Sequence, residues 1–155
     1  MRRVSNRSAA TPLAGVWALS IVGGAALTMF GIWFDGFREN FHVVSPSRVY
    51  RSAQPDAASL KRRRDLQGIR TVVNLRGAWA GEGWYEQERA AARDLGLEHH
   101  DVWMLTHRLA PPGELRRLLE IFDSSPQPIL LHCRQGSDRT ALASALYLAA
   151  VEGRS

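Results

Sequence analysis

The stretch that decides the fold lies near the C-terminal end of the chain and reads Leu131-His132-Cys133-Arg134-Gln135-Gly136-Ser137-Asp138-Arg139-Thr140. The apolar residues 128–131 predict a short buried strand before a loop, and the mostly apolar residues 140–151 predict a helix after it. A loop that leads from a strand into a helix turns successive backbone N–H groups toward one point, and the positive end of the helix dipole adds to them. Such a loop is a binding site for an anion.

Cys133 and Arg139 are the two residues of this loop with the clearest chemistry. The converging N–H groups stabilise a thiolate at Cys133 and, equally, a phosphate dianion above it. Arg139 follows six positions later, where its planar guanidinium can bind two phosphate oxygens at once. Gly136 allows a turn whose backbone must approach the ligand closely. The predicted phosphate-binding residues are Arg134, Gln135, Gly136, Ser137, Asp138 and Arg139.

Two neighbours are expected to support the cysteine. His132 is predicted to fix the backbone of Cys133 through a buried hydrogen bond, and the Thr140 hydroxyl can donate to the thiolate as it leaves a phosphorylated cysteine. The alternative is a buried, inert Cys133 with Arg139 on the surface. The strand before the loop and the helix after it favour the chemical interpretation over the inert one.

Short apolar runs alternate with helical stretches from residue 40 onward. This alternation predicts an α/β domain with a central parallel sheet flanked by helices on both faces. The predicted strands are residues 49–52, 71–75, 97–105 and 128–131. The predicted helices run from Pro55-Asp56 to a stop before Gly68, from 84 to 95, from Pro111-Pro112 onward, and from 140 to 151.

An uncharged run of 27 residues, from Ser8 to Phe34, indicates a membrane segment. About 20 apolar residues suffice for a helix to cross the hydrocarbon core. Trp17 and Trp33 lie near its two ends, as expected for interfacial anchors. We therefore divide the N-terminal region into a short basic tail (residues 1–11) and one transmembrane helix or uncleaved signal (residues 12–34).

The charges around this run predict its orientation. Arg2, Arg3 and Arg7 precede the run, so the positive-inside rule leaves the N-terminus in the cytoplasm and exports the catalytic domain, residues 41–155, to the periplasmic side in a bacterium. A cleaved signal peptide, cut near Gly24-Ala25-Ala26, and a buried core helix are the alternatives. The run continues well past the small residues and has no polar face, which favours an anchor.

Composition limits the partners of the chain. The net charge of +5 and the sequence pI of about 10.3 favour anionic partners. Nucleic acid is disfavoured because the arginines are scattered and no aromatic-interleaved basic run accompanies them. The densest cluster, Arg62-Arg63-Arg64, is interpreted as the solvated face of a helix. One cysteine allows no intramolecular disulfide.

The loop resembles the His-Cys-x5-Arg signature of the cysteine-based protein tyrosine and dual-specificity phosphatase superfamily. Tyr50-Arg51-Ser52-Ala53-Gln54-Pro55 and Val73-Asn74-Leu75-Arg76-Gly77 are similar to its small bacterial dual-specificity-like branch, and the resemblance covers residues 41–153. It implies a tyrosine-phosphatase-like fold and hydrolysis through a phosphocysteine, without metal or other cofactor. The implied substrates are phosphorylated proteins, phospholipids or small molecules such as inositol phosphates.

The general acid is less clearly marked in the sequence. The tyrosine phosphatase pattern places an aspartate about thirty residues before the cysteine, near Asp101, yet Asp101 falls within a predicted strand. Asp138 gives a Cys-x4-Asp-Arg arrangement, which resembles myotubularin-like lipid phosphatases and some secreted bacterial phosphatases with a loop aspartate as the acid. We favour Asp138, with Asp101, His107 and water as alternatives.

Two departures from the family pattern affect what is expected. Ala141 follows Arg-Thr where the family usually has glycine, and the chain ends 22 residues after Cys133, where the family normally adds helices. A C-terminally truncated domain is therefore expected. A non-catalytic, membrane-tethered phosphate-binding module is the second functional hypothesis. A sulfurtransferase or arsenate reductase is disfavoured by the loop length and by the lack of a second cysteine.

Overall fold

The computed structural model describes residues 39–106, 108 and 110–154, together with residues 23, 24 and 29. The chain divides into two compact units, Met1–Asp35 and Gly36–Ser155, and the second contains the folded domain. The basic tail and most of the proposed anchor (residues 12–34) lie outside the described residues. No helix among the described residues is long and apolar enough to cross a membrane.

The described part of the domain contains a five-stranded sheet in the order β1-β2-β5-β3-β4. Its strands are β1 (His42–Ser45), β2 (Val49–Ser52), β3 (Thr71–Asn74), β4 (Glu98–Asp101) and β5 (Ile129–His132). The β2, β5, β3 and β4 strands pair in parallel, as predicted. The β1 strand pairs antiparallel with β2, so the sheet is mixed rather than wholly parallel.

The extra strand arises from a tight turn that the sequence pattern did not reveal. Ser47 adopts φ of +59° between β1 and β2, and the Arg48 amide donates to the Ser45 carbonyl at 3.1 Å. A connection this short can join only antiparallel neighbours. The strand occupies the sheet edge, where it needs little apolar surface, and Val43 is therefore exposed.

Helices cover both faces of the sheet. They are α1 (Ala57–Gln67), α2 (Gly83–Asp94), α3 (Pro112–Ser124) and α4 (Asp138–Ala150). The α3 and α4 helices pack Phe122 and Tyr147 over Leu131, while α1 and α2 pack Leu60 and Ala92 over the other face. Alternate residues of β2, β3 and β5 therefore enter different cores, as expected for strands buried on both sides.

The ends of the helices and strands agree with the sequence prediction where a capping residue marks them and differ from it elsewhere. Asp56 caps α1 by accepting from the Ser59 amide at 2.7 Å, and Gly68 ends it at φ of +70°. The predicted strand 97–105 is shorter than expected, because regular pairing stops at Asp101. The last helix begins earlier than predicted, at Asp138, and thus directly at the loop.

Candidate active site

The loop of residues 133–137 joins the central strand β5 to the N-terminus of α4. Cys133 is buried at the floor of the loop, with 3% of its surface exposed. The Gly136 amide points inward and donates to the Cys133 sulfur at 3.2 Å. The loop borders a pocket of about 250 Å³ whose lining residues are Thr106, Cys133, Arg134, Gln135, Ser137, Asp138 and Arg139.

Side chains outside the loop hold its carbonyl groups. The Asn40 amide donates to the Gln135 and Gly136 carbonyls at 2.8 and 3.0 Å, and Arg51 donates to the Gly136 carbonyl at 2.8 Å. The N–H and C=O of a peptide unit point in opposite directions, so carbonyls held from outside leave amides free to face the pocket. The geometry therefore suits an anion beside Cys133.

Gly136 has a structural reason to be glycine. Its φ is +69°, and a Cβ there would lie 2.5 Å from the Ala53 nitrogen and from the Ser52 carbonyl carbon. Both atoms belong to the backbone and cannot rotate away. The loop thus packs directly against the end of β2, and a side chain at position 136 would force the two segments apart.

Two arginines that line the pocket, Arg134 and Arg139, give it positive charge, and the guanidinium of Arg76 lies near enough to interact with both. Arg139 is half-buried and Arg134 exposed, and neither bonds to another side chain within the described part of the chain. Arg76, on the loop after β3, stacks its guanidinium on Trp84 at 3.3 Å and donates to Gln54 at 2.7 Å. Burial lowers the pKa of Arg76, and the positive charges of Arg139 and Arg134 lower it further. An anion entering the pocket would relieve this repulsion.

The structure separates the two candidate acids. Asp138 is exposed, lines the pocket and makes no ion pair or hydrogen bond through its side chain with any described residue. Asp101 accepts from Asn74 at 2.8 Å and from the Tyr85 hydroxyl at 2.5 Å, and it lines a different pocket. Burial and the bond to Asp101 raise the pKa of Tyr85 to about 12, so the tyrosine remains a donor. His107 lies outside the described residues.

The two supporting residues make different bonds from those expected. His132 is fully buried, but its Nε2 lies 2.9 Å from a carboxylate oxygen of Glu88, and its Nδ1 has no partner among the described residues. Thr140 donates to the Ser137 carbonyl at 3.0 Å instead of to the Cys133 sulfur. In this state Thr140 therefore braces the end of the loop, and His132 connects the loop to α2.

Sequence reasoning did not find Asn40, Arg51, Arg76 or Glu88. For Arg51 and Arg76 a signal existed, because each lies near the carboxyl end of a parallel strand, at the sheet edge where ligands bind. For Glu88 there was no such signal, since it lies in a helix rich in charged residues and looks like an ordinary surface glutamate. The interpretation of Arg63 as solvated was wrong: it pairs with Glu39 and is only 13% exposed.

A central strand that delivers a cysteine into an anion-binding loop, with an arginine on the helix that follows, defines the cysteine-based phosphatases. The model of the tyrosine phosphatase family matches residues 35–154, and the chain belongs to this family. The relationship predicted from the signature around Cys133 is thereby confirmed.

Named relatives and solved structures agree with this assignment. Dual specificity protein phosphatase TpbA of Pseudomonas aeruginosa is 32% identical over 119 residues, which cover 74% of this chain and 48% of TpbA. The chain thus spans about half the length of the curated relatives it matches. The crystal structure of P. aeruginosa TpbA matches with a TM-score of 0.60 at 25% identity, over 76% of this chain and 67% of that one. The core catalytic domain of the PP-IP phosphatase SIW14 from S. cerevisiae matches with a TM-score of 0.56 at 25% identity, over 68% and 63%.

Proposed function

We propose that this chain hydrolyses phosphate monoesters in two steps through a phosphocysteine at Cys133. The observation that carries the proposal is the Gly136 amide donating to the sulfur at the floor of a pocket lined by Arg134 and Arg139. An amide donor and nearby guanidinium groups favour the thiolate over the thiol. The same groups stabilise the negative charge of a transferring phosphoryl group.

The reaction follows from the positions of these groups. The Cys133 thiolate attacks phosphorus, the bond to the leaving oxygen breaks, and Asp138 gives that oxygen a proton. Water then attacks the phosphocysteine while Asp138 takes its proton. Phosphate leaves and the thiolate is restored. Arg139 binds two equatorial oxygens throughout, and no step needs a metal or another cofactor.

The substrate class is a phosphorylated protein side chain, or a phospholipid or inositol phosphate. TpbA is named a dual specificity protein phosphatase and SIW14 a PP-IP phosphatase, so both classes have precedents among similar proteins. Assays of the purified protein distinguish these substrate classes. The substrates to compare are phosphotyrosine peptides, phosphoserine peptides, inositol phosphates and phosphoinositides. Phosphate release, with acid-stable phosphoprotein after rapid quenching, is expected for at least one class.

A non-catalytic phosphate-binding module is the second candidate. It is favoured by one observation: Asp138 is the only carboxylate lining the pocket within the described residues, and it is exposed. Such a module would bind phosphate esters without releasing phosphate from any of the four substrate groups. That result would overturn the hydrolase proposal.

Arg139→Lys is expected to reduce kcat/KM. Lysine keeps the charge but cannot make the bidentate contact, and losing one preorganised donor to the transition state costs about 10²–10³ in rate. Steady-state kinetics on the best substrate measure the loss. Arg93→Lys, at an exposed arginine on α2 outside the pocket, is the control and should match the unmodified protein. Equal rates in both variants would mean that Arg139 does not bind the phosphoryl group.

The N-terminal run supports a further proposal, that the domain is tethered to a membrane and exported. A reporter that is active only after export, fused after Ser155, should be active in a bacterial host, and the protein should sediment with membranes. Deleting residues 12–34 should make the reporter inactive and release the protein from the membrane fraction. Recovery of full-length protein in the soluble cytosolic fraction would contradict the proposal.

A further inference from the structure

A residue that precedes the first strand reaches the peptide unit that faces the nucleophile. The Gln135 carbonyl and the Gly136 amide belong to one planar peptide unit, so they point in opposite directions. The amide donates to the Cys133 sulfur at 3.2 Å, and the carbonyl accepts from the Asn40 side chain at 2.8 Å. Asn40 therefore holds the outer end of the peptide unit whose inner end bonds to the sulfur.

The side-chain amide of Asn40 matches the groups that surround it. Its nitrogen carries two N–H donors and lies 2.8 Å from the Gln135 carbonyl oxygen and 3.0 Å from that of Gly136, and carbonyl oxygens can only accept. Its oxygen, which can only accept, lies 2.8 Å from Nε2 of His42 on β1. Exchanging the two ends of the amide would place an oxygen against two carbonyls. Both donors of the nitrogen are thus directed at the loop.

The backbone of Asn40 is fixed in a conformation that few residues adopt. Its φ is +45°, in the left-handed region, which asparagine tolerates better than most residues. The carbonyl of the preceding residue, Glu39, accepts from the Ala53 amide at 2.6 Å. The Glu39 carboxylate accepts from the Ser59 hydroxyl at 2.7 Å and pairs with Arg63, both on α1. A strained backbone that its surroundings hold in this way points to a role for the side chain.

The other side chain that braces this part of the loop holds a different peptide unit. Arg51 donates at 2.8 Å to the Gly136 carbonyl, which belongs to the peptide unit that follows. Among the described residues, the side chain bonded to the Gln135 carbonyl is that of Asn40. The direction of the Gly136 amide therefore depends more directly on Asn40 than on Arg51.

We propose that Asn40 is a positioning residue, which orients the peptide unit between Gln135 and Gly136 so that its amide faces Cys133 and an anion bound beside the sulfur. The inference rests on the proposed function, because it assigns to Asn40 the preparation of the loop for a phosphoryl group. Without the bond to Asn40 the peptide unit can rotate, and its amide has no fixed direction. Binding an anion then has to order the loop as well, which lowers the affinity.

Asn40→Gly tests this role, because glycine adopts positive φ freely and the substitution removes only the side chain. The affinity for inorganic phosphate, measured by calorimetric titration well below the unfolding temperature, should fall by about tenfold, the lower end of the range for a hydrogen bond to a charged group. Hydrogen exchange at the Gly136 amide, followed by NMR, should also become faster. Its acceleration should exceed that of the β5 amides, which report global unfolding.

Ser47→Gly is the matched control. Ser47 is exposed and is the other non-glycine residue with positive φ among those that the structure describes, at +59° in the turn between β1 and β2. The substitution gives the backbone the same freedom without removing a bond to the loop, so phosphate affinity and Gly136 exchange should match the unmodified protein. A residue that only stabilised the fold would not accelerate Gly136 exchange beyond that of β5. Such a result for Asn40→Gly, or unchanged phosphate affinity, would overturn the proposal.

Asn40→Asp is a second variant, for use if Asn40→Gly does not fold. Aspartate keeps the size of the side chain and tolerates the same φ, but it presents an oxygen to the two loop carbonyls in place of the donor nitrogen. Exchange at Gly136 should again accelerate more than exchange in β5, and retained protection of Gly136 would contradict the role of Asn40.

The two readouts separate this role from the proposed hydrolysis. Neither phosphate binding nor amide exchange requires turnover. If the unmodified chain binds phosphate but releases none from any ester, the hydrolase proposal fails and both measurements on Asn40→Gly still apply. If the unmodified chain binds no phosphate at all, exchange at the Gly136 amide alone decides whether Asn40 orients the peptide unit.

Discussion

Cys133→Ser is expected to reduce phosphate release to the background rate. A serine hydroxyl is far less acidic than a thiol, so the Gly136 amide and the two pocket arginines, which stabilise a thiolate at position 133, leave a serine there un-ionised. The loop itself should remain, because the serine oxygen can still accept from the Gly136 amide that now bonds the sulfur. The variant should therefore bind inorganic phosphate as the unmodified protein does. Rapid-quench assays for phosphoprotein and calorimetric titration with phosphate measure the two properties.

Turnover and phosphate binding of Cys133→Ser have to be compared, because only the loss of turnover with binding retained supports the role of Cys133 as nucleophile. Loss of both turnover and phosphate binding would indicate that the substitution disturbs the loop, and Cys133→Ala, which removes the acceptor, shows how much disturbance that causes. Hydrolysis at the unmodified rate in Cys133→Ser would exclude a phosphocysteine intermediate. Arg139 would then be an electrostatic partner of a different nucleophile, such as water.

The sequence predicts those parts of the fold that depend on local signals. The α1 helix is bounded by a capping aspartate, Asp56, and by Gly68 in the left-handed conformation, and both act within one helical turn. The buried strands β3 and β5 are short runs of apolar and β-branched residues. The β1 strand had no such signal, because an exposed edge strand is stabilised by pairing with β2 and not by its own composition.

The candidate site likewise contains residues whose relation follows from local spacing and residues that only the tertiary fold brings together. Cys133 and Arg139 lie six positions apart in one loop, so their relation follows from the spacing. The groups that hold this loop come from far away in the chain. Asn40 lies 95 residues from Gln135, Arg51 lies 85 from Gly136, and Glu88 lies 44 from His132. Such contacts depend on strand order, which the alternation of strands and helices does not fix.

Asp101 illustrates why spacing alone could not identify the acid. Its distance from Cys133 in sequence agrees with the tyrosine phosphatase pattern, which made it a reasonable alternative. In the fold it ends β4 and is bonded on both oxygens, to Asn74 and to Tyr85. Both of its oxygens are thus already engaged as acceptors, and the carboxylate lines a pocket other than that of Cys133.

Asp138→Asn is expected to slow the hydrolysis of alkyl and phenyl phosphates by about 10²–10⁴, the usual cost of losing a general acid. An activated nitrophenyl ester should be affected far less, because its leaving group is stable without a proton. Measuring kcat/KM for the alkyl, phenyl and nitrophenyl esters tests this dependence on the leaving group.

Asp101→Asn is the matched control, since it replaces a second aspartate with the same amide outside the pocket. It removes a bond to Tyr85 and should lower stability, but losses across the three esters should be equal. Dependence on the leaving group in Asp101→Asn, and not in Asp138→Asn, would identify Asp101 as the donor. Equal losses for all esters in Asp138→Asn would contradict the assignment in another way, because they would mean that Asp138 shapes the N-terminus of α4 for phosphate binding and transfers no proton.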